Sequence, residues 1–555
     1  MKKYILSITI LTSALAVNSC NIEREPYVPV TNEVVKTKEG LQYLLNGAYR
    51  QLSGADNGVV VNMFRNGIFG GDEINLSGTT TDSMMSFYDL VRNPNSDRIN
   101  QIWIQSYKTI FIINSIITNI TAGGDKDSNH MLGEAHYLRA LTNFFLLETF
   151  CKEYTFGPDN MGIPLKKTTE EADIPPRSTV GESYNFVLED LLKAEQLMEG
   201  DTVNKIKASQ GAVQALLARV YLYMGNNTKA LEYANKVINS GKYTLLSKQD
   251  LPKYPQFVPE SNSETIFAFR FDETNYSAWY GLSSMFATID GVGWGEMYVS
   301  DKYIQHIQKF PQDVRNQFIV PNYKLDKNGN KTPTVYWTEF NNTNKYYEYK
   351  IYPANVDANG KHISFVKDGV TYPILTDTFN YGGPTYTKDY AVINGGKQYL
   401  TKEYAMNDRN GYPKYFMYKC SFQQQKDHLY SPIISRLAEM YLIRAEVNAK
   451  QGNTAGTLED INLIRRRAGA PEFASLPADK TALDMVLEER WLEFAYEGQR
   501  KFDLVRNKMP IDRRFPGVHL SQTKTKQIVQ PDDNDLVFYI PEAEMNRNPG
   551  MKQNP

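Results

Sequence analysis

Apolar residues recur at spacings of three and four through two long blocks of the chain, a period that predicts helices with one buried face. In MLGEAHYLRALTNFFLLETF the stripe is Met131, Ala135, Leu138, Leu141 and Phe145. In GAVQALLARVYLYMGNNTKALEYANKVI it is Val213, Leu216, Leu217, Val220 and Met224. Gly225 and Asn226 break that helix. Asn227 or Thr228 is placed to cap a second one carrying Leu231, Ala234, Val237 and Ile238. The first block covers about residues 41–250, with a loop-rich gap between Ser53 and Asn100, and the second about 431–510.

The two blocks repeat each other. Setting Gly225-Asn226 against Gly452-Asn453 is a shift of 227 residues, and it brings Ala218 onto Ala445, Val220 onto Val447 and Leu231 onto Leu458. Both units read helix, Gly-Asn turn, helix, and resemble tetratricopeptide repeats, whose small residues let paired helices pack closely. Such units bury their apolar faces only by stacking, so Gln101 to Ile120 with Met131 to Phe150, and Ser183 to Met198, are expected as further partners. Between the blocks, over about 254–430, turn signals cluster (DKNGN, DANG, KDG) between short aromatic and β-branched runs such as ETIFAFRF and HISFVKDGVTYPIL. These predict hairpins and long loops. The expected fold class is mainly α: one domain over residues 41–555, a scaffold of tetratricopeptide-like helical pairs carrying an irregular loop and β-hairpin insert.

The N-terminus changes the setting. Lys2 and Lys3 precede an apolar run from Tyr4 to Val17, too short to span a bilayer, and small Ser19 precedes Cys20. Residues 1–19 read as a secretory leader. A cysteine at the cleavage point resembles a bacterial lipobox, with Val17 and Ser19 fitting and Asn18 departing from it; an ordinary leader with a chance cysteine is the alternative. Lipidated at Cys20, the chain would be tethered without a transmembrane helix, since two or more acyl chains hold stably at about 0.8 kcal/mol per buried CH₂. Residues 20–40 then form the anchor and a spacer with Glu23, Arg24, Glu25, Pro26 and Pro29. Losing Lys2 and Lys3 moves the formal charge from −2 to −4. Nothing in that near-neutral balance points to nucleic acid. Cys151 and Cys420 form no disulfide framework and read as buried free thiols.

Candidate chemistry is sparse. His130, His136, His306, His362, His428 and His519 form no ligand spacing, and nucleophile-elbow, phosphate-loop and Cys-His signatures are absent from the sequence. No reaction class can be named, so no enzyme is expected. The charged string from Leu487 to Arg506 reads as a structural ion-pair network docking the last helices. Asp326, Asn328 and Asn330 alternate as in a calcium loop, but glycine falls at the fourth place and no Glu at the twelfth. A hairpin turn is the better reading, with calcium the alternative and no other cofactor expected. Of the five tryptophans, Trp103 and Trp491 sit in helices as packing residues. Trp279, Trp294 and Trp337 lie in the insert, Trp294 among three glycines, with Tyr280 and Tyr336 as neighbours. A flat ring flanked by polar groups suits the apolar face of a sugar; core packing is the competing reading for each.

EAHYLRALTNFFLLETF followed by GIPL, LLARVYLYMGN, RLAEMYLIRAEVNAKQGN with INLIRRRAG, LEERWLEFAYEGQRKFDLVR, and FYIPEAEMNRNPGMKQNP near the C-terminus together resemble the SusD/RagB family, surface lipoproteins of Bacteroidetes that capture nutrients. Departures are Trp491, where arginine is commoner, and a longer segment before GIPL. The resemblance implies a non-enzymatic, outer-membrane, lipid-anchored protein facing the cell exterior. It would bind an oligosaccharide and lie as a lid over a SusC-like TonB-dependent transporter. Glu23 and Glu25 resemble the export tag of such lipoproteins. The family's ligand contacts imply polar and aromatic residues between Phe64 and Arg98; Asp72, Asn75, Tyr88 and Arg92 are the candidates there, beside Trp279, Tyr280, Trp294 and Trp337. A RagB-type peptide binder and a pure assembly scaffold are the competing functions.

Overall fold

The two Gly-Asn turns fold alike, because each glycine takes a left-handed conformation that spares it a Cβ penalty (φ 74° at Gly225, 78° at Gly452). The caps are one residue earlier than expected. Asn226 accepts the N–H of Lys229, and Asn453 that of Gly456, so each asparagine both ends the turn and opens the next helix. The computed structural model describes residues 34–54, 58–76, 83–276, 278–409, 411–521 and 526–555. Cys20, its leader and the acidic spacer lie outside them.

Helices α1 (Lys38–Leu52), α2 (Val59–Phe69), α3 (Asp97–Asn119), α4 (Lys126–Phe150), α5 (Val180–Leu197), α6 (Gln210–Tyr223) and α7 (Asn227–Asn239) form the first block. Helices α8 (Leu437–Lys450), α9 (Thr454–Ala468), α10 (Ala482–Phe494) and α11 (Arg500–Arg506) form the second. Consecutive helices pack as pairs, and α8 also packs on α7, joining the blocks through one core. Ala218, Ala445, Val220 and Val447 are fully buried at that junction. Within the expected loop-rich gap the structure instead has α2, an 11-residue helix buried on all sides. Its polar residues Asn62, Arg65 and Asn66 share one face at helical spacing, but that face is buried as well. Trp103 packs against Tyr107 and Phe150 in the core, and both thiols are free and buried. No helix among the described residues is long and apolar enough to cross a membrane.

The insert carries a seven-stranded antiparallel sheet: β1 (Pro333–Asn341), β2 (Tyr346–Val356), β3 (His362–Lys367), β4 (Val370–Pro373), β5 (Leu375–Asn380), β6 (Thr385–Ile393) and β7 (Gly396–Tyr404), in the order β4-β3-β2-β1-β7-β6-β5. Its edge strands β4 and β5 are joined by Ile374 alone, so the sheet curls until its edges meet around Val335, Trp337, Phe365, Ala391 and Leu400. The first and last strands pair, Pro333 opposite Tyr404 and Tyr336 opposite Thr401. The run HISFVKDGVTYPIL supplies the β3–β4 hairpin, whereas ETIFAFRF supplies a strand, Thr265–Ala268, that pairs with Ile433–Arg436 at the start of α8. The DKNGN segment is a tight turn: Asp326 Oδ1 accepts the backbone N–H of Asn328 and Asn330 at 2.7 and 2.9 Å.

Insert and helices are held together by the charged string. Glu493 on α10 is met by Arg436 (2.5 Å), Arg315 (3.1 Å) and Arg467. Arg436 also bonds Glu497 (2.9 Å) and Glu264 (3.0 Å), and Lys419 reaches Glu497 at 2.6 Å. Beside them Arg490 bonds Asp503 (2.8 Å) and Arg506 bonds both Asp503 (2.6 Å) and Glu446. Burial opposes the charge on Glu493, but Arg467, Arg436 and Arg315 override it and hold its carboxyl well below the usual range. Glu73, ahead of a short strand from Ile74 to Leu76, is the opposite case. It is buried, its carboxyl given among the described residues only a long bond from Tyr496 N (3.3 Å), and burial together with the charge of Asp72 pushes it up to about 8.

Two outcomes are expected. Glu493→Gln leaves three buried guanidiniums short of their shared anion, and should cost about 3–5 kcal/mol in urea unfolding at pH 7. The wild-type contribution is present above the unfolded carboxylate range and lost in acid, so the deficit should shrink as pH falls. Glu73 holds its proton in the folded state between its ordinary 4.5 and about 8, so its contribution weakens as pH rises through that window. Glu73→Gln should match wild type near pH 5 and exceed it near pH 8.5, by on the order of 3 kcal/mol. An equal difference at both pH values would show that Glu73 is charged in the fold.

Candidate functional site

Trp279 and Trp294 come together on the surface. Their ring centroids are 5.3 Å apart at 71°, edge to face. They are 42% and 48% exposed and Tyr280 is 50% exposed, unusual for rings of this size in a chain that buries Trp103 and Trp491. The segment reaches the surface because it is pinned from below. Leu282–Met285 is a buried turn, and the Ser284 carbonyl accepts the N–H groups of Trp294 (2.7 Å) and Gly295 (3.0 Å). The Ser284 hydroxyl lies 2.8 Å from the carbonyls of Trp279 and Gly281. Ile289 and Val292 bond each other across Asp290 and Gly291, both left-handed, which makes a tight turn. Gly293 cannot be replaced: its φ is +90°, and a Cβ would sit 2.6 Å from Ala287 O and from His428 Nε2.

Three buried side chains, Ser284, Arg65 and His428, brace the segment, and none is a site candidate from the sequence. Arg65 on α2 donates to Tyr280 O at 2.8 Å. His428 Nε2 lies 2.9 Å from Val292 O, and its Nδ1 lies 3.3 Å from Ser283 Oγ. Burial lowers the His428 pKa, so the ring is neutral and donates to Val292 O through Nε2–H. The only sequence signal for Arg65 is a guanidinium inside the apolar run VVVNMFRNGIF; nothing marks His428 or Ser284.

The indole N–H of Trp294 donates to Trp279 O at 2.8 Å. That bond fixes the ring and uses its only donor, leaving the π faces and edges to meet a ligand. A platform already held in place loses little freedom on binding. Chemically it suits an apolar, flat patch of a ligand, with hydroxyl-bearing edges left to neighbouring polar groups such as exposed Asp290 and Thr288.

The other candidates are elsewhere. Trp337 is 5% exposed and stacks on Tyr352 (5.0 Å, 23°) beside Phe365. Strand alternation sends Val335 and Trp337 into the curled sheet and Tyr336 towards the body, where its hydroxyl meets that of Tyr415 at 3.2 Å. Asp72 is fully buried between Arg500 (3.0 Å) and Lys302 (2.7 Å). Burial opposes its charge, but these two cations hold it far below the usual carboxylate range. Asn75 is buried and donates to Pro516 O at 2.9 Å. Tyr88 is buried against His519 and under the Arg513 guanidinium. Arg92 lies over Tyr539, bonds the carbonyl of Pro555 and pairs with Asp535 at 3.3 Å. These four side chains fasten distant segments and are not gathered around the tryptophan pair. Residues 77–82, the centre of the polar segment, lie outside the described residues.

Comparison with known proteins agrees with this architecture. Residues 263–555 match the SusD family, and residues 22–222 match the family described as "Starch-binding associating with outer membrane". The chain is 22% identical over 532 residues to SusD-like protein P2 of Formosa agariphila, covering 92% of this chain and 91% of that one. It is 22% identical over 493 residues to starch-binding protein SusD of Bacteroides thetaiotaomicron, covering 83% and 79%. Among solved structures, a SusD superfamily protein from Bacteroides vulgatus superposes with a TM-score of 0.70 at 23% identity, over 94% of this chain and 99% of the other. A helical-pair scaffold, a loop and hairpin insert and a match over more than half of the chain lead to one conclusion: the protein belongs to the SusD family.

Proposed function

We propose that this protein captures an oligosaccharide at the cell surface, without catalysis, and delivers it to a SusC-like TonB-dependent outer-membrane transporter. A lipid on Cys20 would anchor it to the outer membrane facing outward. The observation that carries the reading is the exposed, pinned pair Trp279 and Trp294, a preorganised stacking surface in which the Trp294 indole N–H is already spent on Trp279 O. The relative named starch-binding protein SusD and the outer-membrane description of the N-terminal family match support a saccharide ligand and that location. The reading needs no calcium: Asp326 accepts two backbone N–H groups of its own turn.

Calorimetric titration of the full chain in detergent against neutral host and plant oligosaccharides tests the ligand class. One class should bind, and the double variant W279A/W294A should weaken it about tenfold or more, the equivalent of about 1.4 kcal/mol. Saccharide affinity unchanged by W279A/W294A would remove the tryptophan pair from the site. Silence across the sugars with binding of peptides would replace this reading by the RagB-type one.

A further inference from the structure

A cleft opens where the curled sheet meets the body, and it shares no residue with the tryptophan pair. Its volume is 880 Å³, within the range of small-molecule sites, roughly 300–1,000 Å³. One wall is the short helix Asp301–Ile307 and the residues after it; the other is β1, β6 and β7, with Trp491 also lining the space. Of its twenty lining residues four are lysines, Lys302, Lys309, Lys388 and Lys402, and one is acidic, Asp389. This local excess stands out on a chain whose formal charge is −2.

The lysines differ in what already satisfies them. Lys402 is paired with Asp389 at 2.8 Å, and Lys302 with buried Asp72, which it shares with Arg500. Lys309 and Lys388 form no ion pair among the described residues. Lys309 lies 4.8 Å from the Tyr381 ring centre, and Lys388 lies 5.6 Å from that of Tyr399. Glu488, the carboxylate nearest to Lys309 in effect, has its oxygens taken by Lys480 (2.6 Å) and Tyr381 (2.7 Å). Burial lowers the Lys309 pKa; the charge of Glu488, and more weakly that of Asp479, opposes this, while repulsion from Lys480 and Lys388 adds to it. Two ammonium groups with no salt-bridge partner among the described residues, on facing walls and beside aromatic rings, make a place for a small anion that also carries an apolar face.

We infer that this cleft is a binding site for an acidic saccharide, one bearing carboxylate or sulfate groups, recognised by Lys309 and Lys388. That the ligand is a sugar rests on the function proposed above; the preference for an anion rests on the cleft alone. Gln398 on β7 and Gln305 on the facing helix line the two walls; each amide already donates one N–H, to Tyr399 O (2.9 Å) and to Asp301 (2.6 Å), and keeps its oxygen and second N–H for a hydroxyl group.

The test is calorimetric titration of the full chain in detergent with trigalacturonate, a sulfated carrageenan tetrasaccharide, maltotriose and inorganic sulfate. At least one acidic saccharide should bind, more weakly as NaCl rises from about 0.05 to 0.5 M. K309Q/K388Q should lower that affinity tenfold or more, while W279A/W294A should leave it within twofold. Carboxylate and sulfate sources are told apart by which of the two saccharides binds. Failure of both, affinity untouched by K309Q/K388Q, or inorganic sulfate binding as tightly as the saccharide would each overturn the inference. Neutral sugar binding lost in W279A/W294A, with no acidic binding, would leave the proposed function standing and this site refuted.

Discussion

The fold depends on keeping arginine charged in the absence of water. Arg436 opens helix α8 with its side chain bonded to Glu264, Glu493 and Glu497, so one guanidinium joins the insert's first strand region, the second helical block and the last helices. A buried pair of this kind adds little net stability over a well-packed apolar substitute, yet removing one partner is costly. Its effect is geometric. A planar fork of donors accepts carboxylates in few directions, which fixes how the insert's ends leave the helical scaffold. The sheet, the tryptophan segment and the cleft are all displayed from those ends.

The display is rigid at its base and open at its tip. Ser284, Arg65 and His428 tie backbone carbonyls of the tryptophan segment to the core, so the rings stay exposed without a mobile loop to carry them. The hydrophobic drive to bury about 40–50% exposed indoles is resisted by hydrogen bonds that folding away would break. Exposure held in this way is a property of the buried residues beneath, not of the loop itself.

What was legible in the sequence follows from the same physics. Helices with one wet face announced themselves by period, as in the stripe Leu231, Ala234, Val237 and Ile238 of α7, and the Gly-Asn turns by the left-handed conformation glycine permits. Helix α2 is dry on every side, its polar stripe of Asn62, Arg65 and Asn66 included, so its period marks no solvent face. Asp72, Asn75 and Tyr88 misled because a run of polar residues reads as a solvated loop, while their partners, Arg500, Pro516 and Arg513, lie more than four hundred positions away. The alternation of Val335 and Trp337 in PTVYWTEFN pointed inward once the strand was known, but not which side of the strand faced a core. Trp279 and Trp294 were each visible; that they touch was not, since their pairing is made by Ser284 and a tight turn.

The curled sheet has one further consequence. Its first and last strands lie side by side, Pro333 opposite Tyr404, so the chain leaves the body and returns at nearly the same point. Everything beyond that stem is topologically a graft. Strands can be lengthened, recharged or exchanged there without rethreading the helical scaffold, much as a tool head is changed on a fixed handle. Evolution can thus retune one wall of the cleft while the helical body stays as it is.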